Sequence, residues 1–162
     1  MAELEKKTGV TNIKHKGYID MASMNRAIRG WFLSEYYRFI ESKHKYKAAE
    51  REIEMTASRK LNEYVKYKID VRIRAWDLRD VEIIQNGQKI KTQEGKVSID
   101  IVGTMELDWM KRFGGNRFLQ ALQDFYHKFI IKREIGIVWI DHLDKKIAAL
   151  RTVIQQQLGF EA

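Results

Sequence analysis

The sequence of 162 residues contains no cysteine and no proline. Without cysteine, the chain cannot form disulfides, thiolate zinc sites, iron–sulfur clusters or a cysteine nucleophile. Without proline, sharp stops have to come from glycine, asparagine or aspartate, and no rigid proline-rich linker separates two domains. No apolar run reaches the roughly 18 residues of a membrane-spanning helix, and residues 1–7 lack the apolar segment of a signal peptide. We therefore expect a cytoplasmic protein without a membrane span.

Signatures of catalysis and of cofactor binding are missing as well. The sequence has no GxSxG elbow, no Walker loop and no GxGxxG fingerprint. Its four histidines, His15, His44, His127 and His142, do not have the spacing of an HExxH zinc site. We expect no catalytic residue, no metal and no cofactor, and an enzyme is the least supported class of function.

The composition is that of a globular domain, since 44% of the residues are apolar and 32% are charged. The formal net charge of +8 favours an acidic partner such as nucleic acid or an anionic surface. Residues 1–17 are basic and have only a weak apolar pattern, which predicts a mobile basic arm. We expect residues 18–162 to form a single domain of ordinary size.

An alternation of apolar and charged side chains runs through residues 64–76 and predicts a strand with one buried and one solvated face. The solvated face carries a row of cations from Lys66 to Arg74, which can bind phosphates. Binding of single-stranded nucleic acid also needs aromatic side chains on that face, and Tyr67 and Trp76 do not both share it. Carboxylates on the neighbouring strands predict a solvated, internally paired face in preference to a nucleic-acid platform.

Residues 48–60 alternate in the same way and predict a partner strand. A turn directly after this segment places Glu52 opposite Arg72, which is a favourable cross-strand pair. The same register places Glu54 opposite Asp70, which is unfavourable.

Asn86 and Gly87 give the strongest hairpin signal in the chain, because both central positions of a tight hairpin turn need positive φ. Residues 81–84 predict a short strand before this turn. A long strand begins at Gly95, and we expect a bulge or bend at Gly103.

Three helices are predicted around these strands. Asp20 is the expected N-cap of a helix over residues 21–42. Gly30 lies inside this helix, where glycine is unfavourable, so we expect another part of the chain to pack closely against it. Asn116 caps the second helix. The last helix, over residues 140–158, carries an apolar seam that packs within the monomer or, as the alternative, joins two copies in a homodimer.

The order of these elements predicts an α+β domain: an N-terminal helix, an antiparallel sheet of four to five strands, and two C-terminal helices packed on one sheet face. Tyr64 with the alternation after it, residues 80–82 and residues 107–109 resemble a group of archaeal and bacterial proteins of unknown function. The likeness covers about residues 18–135, and the chain departs from that group in its glutamines and its lack of proline. The resemblance implies a shared fold and no chemistry.

Two surfaces are candidates for binding. Lys111, Arg112 and Arg117 flank a glycine turn at a predicted helix start, where backbone N–H groups and the helix dipole favour an anion. The first helix has more aromatic side chains than one packed stripe needs, which predicts an exposed aromatic surface. The candidates for that surface are Trp31, Tyr36 and Tyr37.

Three functions fit these observations. The first is a non-enzymatic cytosolic binding or interaction module that uses aromatic and helical surface. The second is a nucleic-acid or anion binder that uses the basic glycine turn and the N-terminal arm. The third is a cradle for a small apolar ligand between the sheet and the last helix.

Overall fold

Residues 4–47, 49–111, 116–128 and 138–159 are described by the structure, a computed structural model. Over these residues the protein is an α+β domain with one antiparallel sheet of six strands and three α-helices. The strands are β1 (Glu5–Lys7), β2 (Thr11–Ile19), β3 (Arg38–Lys47), β4 (Glu50–Lys60), β5 (Val65–Gln85) and β6 (Gln88–Leu107). The helices are α1 (Met21–Ser34), α2 (Arg117–Tyr126) and α3 (Ile140–Gln157).

The sheet has the order β3–β4–β5–β6, and β1 and β2 follow one another along the outer edge of β6. Ile13 of β2 lies opposite Ile99, and both are buried. Between the two short strands, the Thr8 hydroxyl accepts a hydrogen bond from the Gly103 N–H at 3.0 Å. The expectation of a mobile arm over residues 1–17 is therefore corrected for its described part, which forms an edge of the sheet.

α1 begins at the predicted position because Asp20 caps it. Its Oδ1 atom accepts a hydrogen bond from the Ser23 N–H at 3.0 Å, and the Ser23 hydroxyl, donating to the same carboxylate, lowers the pKa of Asp20. The close neighbour expected at Gly30 is not found among the described residues, since a Cβ atom there would meet none of their atoms within 4 Å.

α1 ends at Ser34 and not at residue 42. Tyr36 adopts a left-handed φ of 64°, and the Tyr37 N–H donates to the Phe32 carbonyl at 2.8 Å, which closes the helix. The chain then enters β3, a strand that the sequence analysis does not predict. No glycine or proline marks this reversal, and the aromatic residues continue the helical spacing across it.

β5 and β6 form a long hairpin whose predicted turn is confirmed. Asn86 and Gly87 both have positive φ, 51° and 77°. The short strand predicted at residues 81–84 is the distal part of β5. β5 is regular apart from a register shift between Trp76 and Arg79.

The register between β4 and β5 differs from the prediction by two positions, which leaves the faces of both strands unchanged. Glu52 lies opposite Arg74 and not Arg72. Thr56 lies opposite Asp70 in place of a second carboxylate, and its hydroxyl donates to that carboxylate at 2.8 Å. The observed register thus exchanges an unfavourable pair for a hydrogen bond.

α3 packs directly on β6 at Gly103. A Cβ atom at Gly103 would lie 2.5 Å from Ile147 Cδ1 and 3.0 Å from Leu143 Cδ2. The glycine therefore permits close approach of the helix, and the bulge expected there is corrected, because the ladder is regular at this point. The seam of α3 is buried within the monomer at Leu143, Ile147, Leu150, Ile154 and Leu158.

The odd-numbered side chains of the central strands face α1 and α3 and form one core with them. The strand residues of this core include Ile53, Met55, Tyr67, Ile69, Val71, Ile73, Val97, Ile99 and Ile101. α2 is placed differently, beside the start of β5 and the end of β6. The two C-terminal helices therefore do not both pack on one sheet face, and α1 covers that face together with α3.

Candidate functional site

The even-numbered side chains of β4, β5 and β6 point away from the helices, so this face of the sheet is open to solvent. Ion pairs neutralise its centre. Arg72 donates to Glu52 at 2.7 Å and lies 3.4 Å from Glu54, while Lys43 lies 3.4 Å from Glu52. The hydrogen bond between Glu52 and Arg72 lowers the pKa of the first and raises the pKa of the second. This centre is the internally paired surface that the alternation predicts.

The part of the open face around Trp76 has a different character, and we call it the Trp76 patch. Trp76 is 37% exposed and lies on the open face, because Ala75 beside it is buried. Six cations from four strands surround the indole ring. They are Lys14 and Lys16 of β2, Lys45 and Lys47 of β3, Arg74 of β5, and Lys96 of β6. Among the described residues, only Lys96 of these six forms an ion pair, a 3.8 Å contact with the exposed Asp77.

Trp76 separates two shallow depressions on this face. One has a volume of about 410 Å³ and is bordered by the β3 lysines and Arg74. The other has a volume of about 350 Å³ and is bordered by the cations of β2 and β6. The ring is therefore accessible between two groups of cations.

Strand register brings these side chains together. Lys96 is the cross-strand neighbour of both Trp76 and Lys16, so the three residues form one row across the sheet. The adjacent row, read across the sheet, is Lys14, Ser98, Arg74, Glu52 and Lys45. Cross-strand neighbours lie about 5 Å apart, so cations in these rows lie within reach of one bound molecule.

The patch carries an excess of positive charge. Its carboxylates are Glu50, Glu52 and Asp77, and Glu52 is held by Arg72. Cations on both sides of an exposed indole ring can bind a molecule that has both negative charges and a flat ring.

The predicted anion site at the glycine turn lies partly outside the described residues, and the structure places only its two flanking cations. Lys111 is exposed with a φ of 55°, and Arg117 is the exposed first residue of α2. Arg112 lies outside the described residues. Asn116 Oδ1 accepts a hydrogen bond from the Leu119 N–H at 2.8 Å, so the cap occupies one of the N–H groups that an anion would use.

The predicted aromatic surface is divided between the core and the solvent. Trp31 stacks on Tyr37 with 6.0 Å between ring centroids, and Tyr37 is buried. Burial raises the pKa of Tyr37 to about 12. Tyr36 is 80% exposed, with the Arg59 guanidinium 5.9 Å from its ring centroid. The three side chains therefore do not form one exposed surface.

A polar cluster attaches α2 to the sheet. Gln123 is buried, and its Nε2 atom donates to Tyr64 Oη and to Asp108 Oδ2, each at 3.2 Å. The Tyr64 hydroxyl is also hydrogen-bonded to His127 Nε2. Burial lowers the pKa of His127 and raises that of Tyr64 to about 12. Phe118 at the start of α2 is 75% exposed, while Tyr126 at its end packs edge-to-face on Tyr64 with 5.8 Å between ring centroids.

Sequence reasoning missed the Trp76 patch, although one signal was present. Trp76 has the same parity as Arg72 and Arg74 within the alternation, which places it on the basic face. The lysines that complete the patch at the two sheet edges come from β2 and β3, which were not predicted as strands.

A comparison with protein-family models finds no match, and a comparison with curated proteins finds no relative of significant similarity. None of the helices within the described ranges has the length and apolar character that crossing a membrane requires. The described residues also contain no group of three or more histidine and carboxylate side chains that would hold a metal ion. The geometry of the Trp76 patch is therefore the basis for assigning a function.

Proposed function

We propose that this protein is a non-enzymatic binding module that holds single-stranded nucleic acid on the Trp76 patch. The observation that carries this proposal is an exposed indole ring among six cations, five of which form no ion pair within the described residues.

Nucleic acid is a class of polyanion that supplies both features the patch can recognise. Its phosphates provide regularly spaced negative charges for the lysines and Arg74. Its bases provide flat rings, and stacking on an aromatic side chain contributes about 1–3 kcal/mol per base. A polyanion without rings would leave Trp76 without a role in binding.

The open sheet favours unpaired bases over a duplex. Bases in a duplex are stacked inside it, where only their edges are accessible from the grooves. An unpaired base can lie flat on Trp76 while its flanking phosphates approach cations on either side of the ring. We therefore assign single-stranded nucleic acid as the ligand class.

Fluorescence anisotropy with a labelled oligothymidylate of about ten nucleotides tests this proposal, at salt concentrations from about 50 mM upward. We expect Trp76→Ala to weaken binding by about 5- to 150-fold, which corresponds to the loss of one stacked base. Replacing Lys14 and Lys16 together by alanine should reduce the slope of log affinity against log salt by about 1.4 units, because each lysine that contacts a phosphate contributes about 0.7 through counterion release.

The matched control replaces Lys66 and Lys68 together by alanine, which removes the same charge from the same sheet face at its other end. This variant should bind nearly as tightly as the unaltered protein. A second variant with alanine at Lys111 and Arg117 tests the glycine turn, and we expect little change. Absence of binding at about 50 mM salt, an equal loss in the control, or polyphosphate binding as tight as the oligonucleotide would overturn the proposal.

A further inference from the structure

The proposed function leaves open how the nucleic acid lies on the sheet. We infer that the strand crosses the sheet at right angles to the β-strands, from the β2 edge to the β3 edge, with an inner base on Trp76. This inference rests on the proposed function and adds the path and the length of the ligand.

The distribution of cations across the sheet defines this path. Lys14 and Lys16 lie on β2 at one edge, and Lys45 and Lys47 lie on β3 at the other edge. Trp76 lies on β5 between the two edges, with one depression on each side of it. A strand that crosses the sheet meets the cations of β2 and β6, then the indole ring, then the β3 lysines. Glu50 and Glu52 lie between the ring and those lysines, and Glu52 is held by Arg72.

A path along the β-strands meets carboxylates in both directions. From Arg74 toward the start of β5, the open face carries the ion pairs of Arg72 with Glu52 and Glu54 and the residues beside them. The carboxylates there are Glu52, Glu54, Asp70 and Asp100. In the other direction, Asp77 and the ion pair between Arg79 and Glu94 follow Trp76 on this face. The register shift after Trp76 turns Asp80 and Glu82 to the opposite face. Phosphates placed beside these groups would be repelled, so the electrostatics disfavour this direction.

The width of the sheet sets the length of the ligand. From β2 to β3 there are four gaps between neighbouring strands, each of about 4.8 Å, so the edge cations lie about 19 Å apart. Stacked nucleotides advance by about 3.4 Å each, and unstacked nucleotides advance further. The ligand that reaches both edges therefore has about four to six nucleotides, near the lower limit of known single-strand sites.

Paramagnetic labelling tests the path directly. A thymidylate of about six nucleotides carries a nitroxide at its 5′ end in one sample and at its 3′ end in another, and amide signals of the ¹⁵N-labelled protein are recorded. We expect one label to broaden the signals of residues 14–16 and the other to broaden those of residues 45–47. Broadening of residues 66–68 by one label and of residues 84–90 by the other would overturn the crossing path.

A length series separates this inference from the proposed function. Affinity should rise between about two and six nucleotides and then level off, apart from the statistical gain of extra registers. Alanine at both Lys45 and Lys47 should remove much of that rise. If no oligonucleotide binds at any length, the proposed function fails. If binding depends on Trp76 but does not change with length or with the β3 lysines, only the crossing path fails.

Discussion

Gly30 and Gly103 have opposite surroundings, although each lies inside a regular element. Gly30 lies in α1, and within the described part of the chain no atom lies near the position of a Cβ atom. Gly103 lies in β6 under α3, where a Cβ atom would overlap Ile147 and touch Leu143. Both of those side chains are buried, so neither can move without displacing other core residues.

We expect the same substitution to have opposite effects at these two positions. Gly103→Ala should lower the free energy of unfolding by about 1–3 kcal/mol, which is the usual cost of overpacking a core. Gly30→Ala should raise it by about 0.5–1 kcal/mol, because glycine is the poorer residue inside a helix. Urea denaturation measures both changes, and effects of the same sign would contradict this account of the packing.

Single-residue signals in the sequence predicted the caps and the tight turn, because those depend on local chemistry. Asp20 and Asn116 each accept the hydrogen bond expected of an N-cap, and Asn86 with Gly87 forms the predicted turn. Tyr36 could not be predicted in the same way. Its left-handed φ is set by the packing of the helix end, and tyrosine gives no signal for it.

At the scale of elements, side-chain hydrogen bonds join Tyr64 to His127 and Gln123 and so connect α2 to the sheet, beside an edge-to-face contact between Tyr64 and Tyr126. In the neutral tautomer that carries its proton on Nδ1, His127 Nε2 accepts a hydrogen bond from the Tyr64 hydroxyl, which itself accepts one from Gln123 Nε2. Protonation of His127 would remove the acceptor of this hydrogen bond. The position of α2 therefore depends on the charge of one histidine.

We expect the attachment of α2 to weaken as the pH falls below about 6.5, the pKa of histidine in an unfolded chain. Burial holds the pKa of His127 below that value, although the charges of Asp124 and Asp108 act against this shift. The folded protein thus binds fewer protons than the unfolded chain in this range, and the stability contribution present above pH 6.5 is lost on acidification. Hydrogen exchange of residues 117–126, corrected for intrinsic rates, measures the change.

His127→Gln should remove this pH dependence, while His44→Gln on β3 should leave it intact. Acid-induced loosening of α2 that persists in His127→Gln would show that another group is responsible.

The elements that sequence reasoning predicted best are those with a long alternation. β4, β5 and the second half of β6 follow directly from it. β1, β2 and β3 are short edge strands whose polar residues alternate only weakly, and pairing with the rest of the sheet stabilises them. The Trp76 patch needs β2 and β3, so its full set of cations could not be predicted before the topology was known.

At the scale of the whole molecule, the buried seam of α3 accounts for the last helix without a second copy. Leu150 is fully buried within the monomer, and α3 is tied to the end of α1 by a 2.6 Å ion pair between Lys146 and Glu35. The apolar spacing along α3, which suggested a homodimer as the alternative, is therefore explained by packing in the core of one chain.

Leu150→Ala should lower the free energy of unfolding by about 2–5 kcal/mol, because it leaves a cavity in the core. The unfolding midpoint of the unaltered protein should not depend on protein concentration, as it would if a second copy covered this helix. Leu122→Ala on the exposed side of α2 is the control and should change stability by less than about 0.5 kcal/mol. A midpoint that rises with protein concentration would contradict the assignment of the seam to the monomer.

β3 is an outer strand of the sheet, and its lysines have a consequence separate from the proposed ligand binding. The backbone N–H and C=O groups along such an edge can pair with the edge of another molecule, and charged side chains keep the two molecules apart. Lys43, Lys45 and Lys47 alternate along this edge, and a register shift between Glu41 and Lys43 interrupts its regular ladder. Acetylation of these lysines would remove that repulsion, so a modification that weakens the hold on phosphates would also promote fibrous self-association.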